Sequence, residues 1–177
     1  MGYNLYITRK ENHWDESGSK ISKKEWLEYV SKDSELIIDS KSKDYVILKN
    51  SGDSAPWLFW SETGVIDSKN PPHFFIEKMI SIATDMDAKV QGDDLEIYTS
   101  IPNGYKLITD AQPPVMIEYH RKAMNGKVEY TEILTSNNKP TATLQNKEKA
   151  SVNTFSLLLL LLVVLAVGYF VISRLIK

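Results

Sequence analysis

VMIEYHRKAM (115–124), NG (125–126) and KVEYTEIL (127–134) form the stretch whose reading decides the fold class. Asn-Gly is the dipeptide that a two-residue hairpin turn favours, because both central residues of that turn need positive φ. Folding the chain about it sets Ala123 against Val128, Lys122 against Glu129 and Ile117 against Leu134. One side of the ribbon then collects Ile117, Tyr119, Ala123, Val128, Tyr130 and Leu134. The other collects His120, Lys122, Glu129 and Thr131, so apolar and charged pairs both face their complements. A ribbon of this kind belongs to an antiparallel sheet.

Upstream, the same period recurs. Gly2 to Arg9 alternates Tyr3, Leu5 and Ile7 with Asn4, Tyr6 and Thr8, which predicts a half-buried strand. Ser22-Lys23-Lys24-Glu25 has the form of a capping box, and Trp26, Leu27 and Val30 mark the inner face of a short helix ending near Lys32. Leu36–Ile38, Tyr45–Leu48 and Val65–Asp67 predict short strands, and Trp57–Trp60, apolar on both sides, predicts a strand covered on both faces. Asn70-Pro71-Pro72 opens a second helix. Its face carries Phe75, Met79, Ile82, Ala83 and Met86 and extends toward Val90, with Gly92 as its stop. Leu95, Ile97 and Thr99 predict another strand, and IPNG (101–104) a loop. The fold expected for residues 1–134 is α+β, a mainly antiparallel sheet with two helices on one face.

Beyond residue 134 the composition changes twice. Residues 135–154 are polar, with no apolar period, and predict a tether. Residues 155–173, FSLLLLLLVVLAVGYFVIS, hold no charge, and 14 of the 19 are Leu, Val, Ile or Phe. As a helix this run would span roughly 28 Å, close to the ~30 Å hydrocarbon core of a bilayer. Its apolar residues favour insertion by about 4 to 8 kcal/mol. A C-terminal single transmembrane helix is therefore expected, followed by a short tail, residues 174–177. The N-terminal stretch shows no signal-peptide pattern, which predicts a tail-anchored, single-pass protein with its folded part in the cytoplasm.

Charge and composition narrow the function. Removing Arg174 and Lys177 from the 21 basic residues leaves 19 against 23 acidic ones, a net charge of −4 before the span. Such a domain is a poor partner for nucleic acid. The chain has no cysteine, which removes disulfides, thiolate metal sites and a cysteine nucleophile together. His13, His73 and His120 are far apart and show no metal-ligand spacing, so solvated or partly packed imidazoles are expected. There is no phosphate-binding loop, dinucleotide fingerprint or nucleophile elbow. Asp85/Asp87 and Asp93/Asp94 with Glu96 are expected to be solvated turn acids. No cofactor, metal or catalytic residue is assigned. Arg9, His13 and Trp14, where the first strand runs into a polar loop, are the candidate binding residues, since Arg and Trp are enriched at interfaces.

The segments YNLYITR (3–9), SKKEWLEYV (22–30), WLFW (57–60), GVIDSKNP (64–71) and DAKVQGDDLEIY (87–98) together resemble an uncharacterised family of small bacterial proteins. The resemblance covers roughly residues 2 to 99 and implies a compact, single bacterial domain, hence the inner membrane for the span. It carries no site residues, and the hairpin, tether and span are additions to the family pattern. Two functions are therefore held open. One is a membrane-tethered, non-catalytic module that binds a protein partner, of which an immunity protein against a bacterial toxin is one version. The other is a membrane-anchored enzyme whose site is assembled by the fold without a local motif.

Overall fold

The structure, a computed structural model, describes residues 2–49, 55–124, 126–136 and 139–140. These fall in one compact unit, Met1–Leu144; the expected span at 155–173, the tail and most of the tether lie outside the described residues.

The chain forms β1 (Asn4–Thr8), α1 (Lys23–Lys32), β2 (Leu36–Ile38), β3 (Tyr45–Leu48), β4 (Trp57–Trp60) and β5 (Ile66–Lys69). It continues with α2 (His73–Asp85), β6 (Lys89–Gly92), β7 (Ile97–Ile101), β8 (Gly104–Ile108), β9 (Met116–Met124), β10 (Lys127–Ser136) and the short β11 (Lys139–Pro140). All strands join one antiparallel sheet in the order β11-β10-β9-β8-β7-β6-β1-β5-β4-β3-β2. The α+β class follows. β1 is central, and β6 and β5 flank it.

Each helix has a chemical start and stop. The Ser22 side chain accepts the Glu25 backbone N–H at 3.2 Å, the first half of the capping box, so α1 begins where the sequence places it. Trp26 and Val30 are buried, whereas Leu27 is 39% exposed and lies outside the inner face expected for it. In α2, Pro72 is the N-cap. The helix ends at Asp85, because Asp87 takes φ 51°, a left-handed conformation that Asp tolerates better than most residues. Val90 therefore leaves the expected helix face and joins β6 opposite Ile7. The stop signal was Asp87 and not Gly92.

β8, a segment with no strand assigned from the sequence, pairs with both β7 and β9. Its turn has Pro102 followed by Asn103 at φ 60°, the order a type II turn asks for. The β9–β10 register sets Ala123 on Val128, Lys122 on Glu129 and Ile117 on Leu134, as the hairpin reading required. β10 runs two residues past Leu134.

A single buried cluster contains Leu5 and Ile7 of β1, Leu58, Ile66, Val90, Tyr98, Tyr105, Trp26 and Val30 of α1, and Phe75, Met79, Ile82 and Ala83 of α2. At about 25 cal/mol per Å² of buried apolar area, a side chain such as Leu5 or Ile7 contributes about 1.5 to 3 kcal/mol. Alternation sends Tyr6 to the opposite face of the sheet, away from that cluster. In β4 only Leu58 is fully buried; Trp57, Phe59 and Trp60 keep partial exposure, so the expectation of cover on both faces does not hold.

Candidate functional site

The three residues singled out at the end of β1 separate. Alternation along β1 continues into Arg9, which turns to the side of Leu5 and Ile7. Its Nε donates to the Met86 carbonyl at 3.0 Å, and its Nη1 and Nη2 grip the Glu25 carboxylate at 3.2 and 2.5 Å. Arg9 thus ties the first turn of α1 to the C-cap of α2. That grip, a charge-assisted fork, holds the Glu25 carboxyl below its ordinary range and the Arg9 guanidinium above its own. These contacts join the two helix ends.

His13 and Trp14 lie on the other side, with Tyr6. The His13 ring stacks on Tyr6, centroids 3.7 Å apart and planes 8° from parallel, and Trp14 meets His13 edge-on at 4.5 Å. Two distant residues on β6 hold the loop there. The His13 backbone N–H donates to Gln91 Oε1 at 2.8 Å, and Lys89 Nζ donates to the Glu11 carbonyl at 2.5 Å. Lys10, 2% exposed, donates its Nζ to the Asp15 carbonyl at 2.6 Å and closes the loop on itself. Burial lowers the His13 pKa and so favours the neutral ring, and its Nδ1 is buried with no hydrogen-bond partner. Trp14 remains 56% exposed, held by that edge contact.

Around Tyr6 the strand register builds a row. Tyr45, Phe59, Asp67, Tyr6, Gln91 and Ile97 are successive cross-strand partners over β3, β4, β5, β1, β6 and β7. Directly opposed residues of antiparallel strands project to the same face, so these six share it. Trp57 packs edge-on against Tyr45 with centroids 5.1 Å apart, and Tyr45 lies 5.4 Å from Phe59.

Two carboxyl groups in this aromatic field behave differently. Asp93 is fully occupied: it accepts the Asn4 backbone N–H at 2.7 Å and the Tyr6 hydroxyl at 2.8 Å. With burial as the larger cause, that bond pushes the Tyr6 pKa up to about 12. Asp67 has no side-chain donor or counter-ion among the described residues; only its own backbone N–H favours its charge. Burial raises its pKa to about 6. The Lys69 side chain, on the same face two residues along, lies against Gly2 instead, where a Cβ would come within 2.1 Å of its Cε.

The turn acids therefore need correction. Asp94, Asp85 and Asp87 are exposed as expected, but Asp93 is half-buried and hydrogen-bonded, and Glu96 is 5% exposed, with Oε1 accepting the Tyr98 hydroxyl at 2.7 Å. Gly92 makes room for that carboxyl, since a Cβ there would fall 1.9 Å from Glu96 Oε1.

A second aromatic group lies at the start of α2. His73 Nδ1 and the Tyr105 hydroxyl share a hydrogen bond of 2.6 Å, and His73 stacks on Tyr130 at 4.6 Å. Glu77, one turn on, accepts from Tyr130 at 2.9 Å and from Arg121 at 3.1 Å, docking the hairpin on the helix. Burial lowers the His73 pKa and raises those of Tyr119 and Tyr130 to about 12. Each of these shifts favours the neutral form, which suits packed rings. His120 pairs with Glu118 on the hairpin at 2.9 Å. Among the described residues no group of three or more His, Asp or Glu is placed to hold a metal ion. The Tyr6 face, with Trp14, Trp57, Phe59 and Asp67 exposed to varying degrees, is thus the candidate functional site. No protein family, curated protein or solved structure matches the chain.

Proposed function

We propose that the chain is a membrane-tethered, non-catalytic module that binds a protein partner through the Tyr6 face of its sheet. In this reading both helices cover the Leu5 and Ile7 face, and on the Tyr6 face the loop through His13 covers the Tyr6 and Gln91 end. The observation that carries the reading is two packed aromatic groups on that face, Trp57, Tyr45 and Phe59 on one side of Asp67 and Tyr6, His13 and Trp14 on the other. Rings that pack against one another are already ordered, so a partner that covers them loses little side-chain entropy. Tyr and Trp are also the residues most enriched among binding hot spots.

The uncharged run 155–173 supports location in the bilayer as a single-pass anchor, with the polar residues 135–154 as spacer and the folded part in the cytoplasm. A bacterial immunity protein, held at the inner membrane to meet an incoming toxin, is the concrete version we favour. The test is photo-crosslinking in the source cell, with a photoreactive phenylalanine analogue placed at Trp14 or Trp57 of the full chain. Both positions should give a discrete protein adduct, and Glu28 and Lys32 on the exposed side of α1 should give none. Adducts from the α1 positions alone, or none from positions 14 and 57, would overturn the reading.

A further inference from the structure

We infer that Asp67, between Phe59 and Tyr6, is the receptor for an arginine side chain of the protein partner. The inference rests on the reading of this face as a binding surface and names what the surface recognises.

Three features converge on it. First, register places Phe59 and Tyr6 directly opposite Asp67 on its two neighbouring strands, so an aromatic ring stands on either side of the carboxyl. Each cross-strand step is about 4.5 to 5.5 Å between Cβ atoms, so the two rings stand two steps apart with the carboxyl between them. Second, among the described residues no side chain donates to that carboxyl or forms an ion pair with it. The acids on the Tyr6 side of the loop are engaged by contrast: Asp93 by Asn4 and Tyr6, and Asp15 by the Asn12 backbone N–H at 2.8 Å. Third, Asp67 is half-buried, and burial raises its pKa to about 6, so a cation arriving from outside meets a carboxyl already stripped of part of its water. A guanidinium fits these conditions better than an ammonium. It is flat, weakly hydrated, stacks on rings and forks onto a carboxylate. The mild negative charge of the chain before its span points the same way.

The experiment titrates the isotope-labelled full chain in detergent micelles with N-acetyl-arginine amide and, separately, with its neutral isostere N-acetyl-citrulline amide. The backbone amides of Tyr6, Phe59 and Asp67 report binding. A ligand of this size should saturate with Kd on the order of 1 to 10 mM. Citrulline amide should bind at least about fivefold more weakly, and Asp67→Asn should weaken arginine amide by a similar factor while keeping its dispersed amide spectrum. Phe59→Leu, which preserves apolar volume, should weaken binding about twofold to fivefold through loss of the ring. Three results would each overturn the inference: no saturable shift at the three amides, an equal response to citrulline amide, or an undiminished response in Asp67→Asn. If crosslinking at positions 14 and 57 survives such a result, the face binds without an arginine anchor; if both fail, the face is not a binding surface.

Discussion

Replacing Asp67 by Asn should make the protein more stable. The sign follows from linkage: burial raises the folded-state pKa from an ordinary 3.8 to about 6, so the native state binds a proton more tightly than the unfolded chain does. The stability this proton contributes is complete below pH ~3.8, declines as pH rises through about 6 and is absent above that. At about 1.36 kcal/mol per tenfold in proton affinity, the interval corresponds to a ceiling of about 3 kcal/mol. Asp67 keeps partial contact with water, which screens its charge, and about 1 to 2 kcal/mol is the figure to expect. Asn keeps the shape and carries no charge. Urea unfolding of wild type and Asp67→Asn, followed by tryptophan fluorescence at about pH 4, 5, 6 and 7.5, should show a gap that opens between the lowest and highest pH and then stays level. Other titrating groups such as Glu25 and His13 act alike in both proteins and cancel in the difference. An Asn variant no more stable than wild type at the highest pH, or a gap independent of pH, would refute the desolvation argument.

Arg9→Ala should cost about 1 to 3 kcal/mol, because it strips the Met86 carbonyl of its donor and Glu25 of its counter-ion, whereas Trp14→Ala should leave the unfolding midpoint almost unmoved. Crosslinking should show the reverse pattern, with loss of adduct confined to the Trp14 variant. Ser22→Ala removes the acceptor of the Glu25 N–H and should lower stability by about 1 kcal/mol, with recovery in Ser22→Asp. Gly104→Ala would set a Cβ 1.9 Å from the Tyr119 carbonyl oxygen, so β8 and β9 must part; a loss of about 2 to 3 kcal/mol in the same urea assay checks it. Full-length protein should remain in the membrane pellet through an alkaline carbonate wash, and release of its bulk would remove the anchor.

Local chemistry was legible in the sequence. The Asn-Gly turn and the apolar alternation around it fix a register in which Ile117 meets Leu134, because each pairing depends only on residues of the ribbon itself. The Ser22 cap is equally local. What escaped depends on a competing local choice or on distant chain. IPNG contains a turn residue pair, yet the short YKLI beyond it carries only weak alternation, and β8 forms because β7 and β9 supply both its edges. Val90 fits the helical face in spacing, but Asp87 turns the backbone first. Arg9 was grouped with His13 and Trp14 by nearness along the chain. The alternation of β1 already carried the signal that separates it, since Arg9 continues the series of Leu5 and Ile7. The His13 stack on Tyr6 left no such trace, because Gln91 holds it from 78 residues away.

Asp67 shows why a site of this kind escapes a motif search. Four residues of its strand, IDSK, contain nothing unusual, and an aspartate near a strand end is ordinarily solvated. Its environment is created by Phe59 on one side and Tyr6 on the other, each placed by a separate hairpin or crossover. The fold had cheaper solutions at this position: asparagine, serine or threonine would satisfy the strand without a desolvated charge. A carboxyl whose burial lowers stability, and which makes no ion pair among the described residues, adds nothing to holding the sheet together. Such residues persist where binding requires a group that folding alone would discard. The contrast with Asp93 sharpens the argument. Asp93 stands near the same aromatic ring, but its charge is met by the Asn4 N–H and the Tyr6 hydroxyl, so it is explained by the fold it stabilises. Asp67 has no such internal explanation among the described residues, which is what the proposed arginine contact would supply.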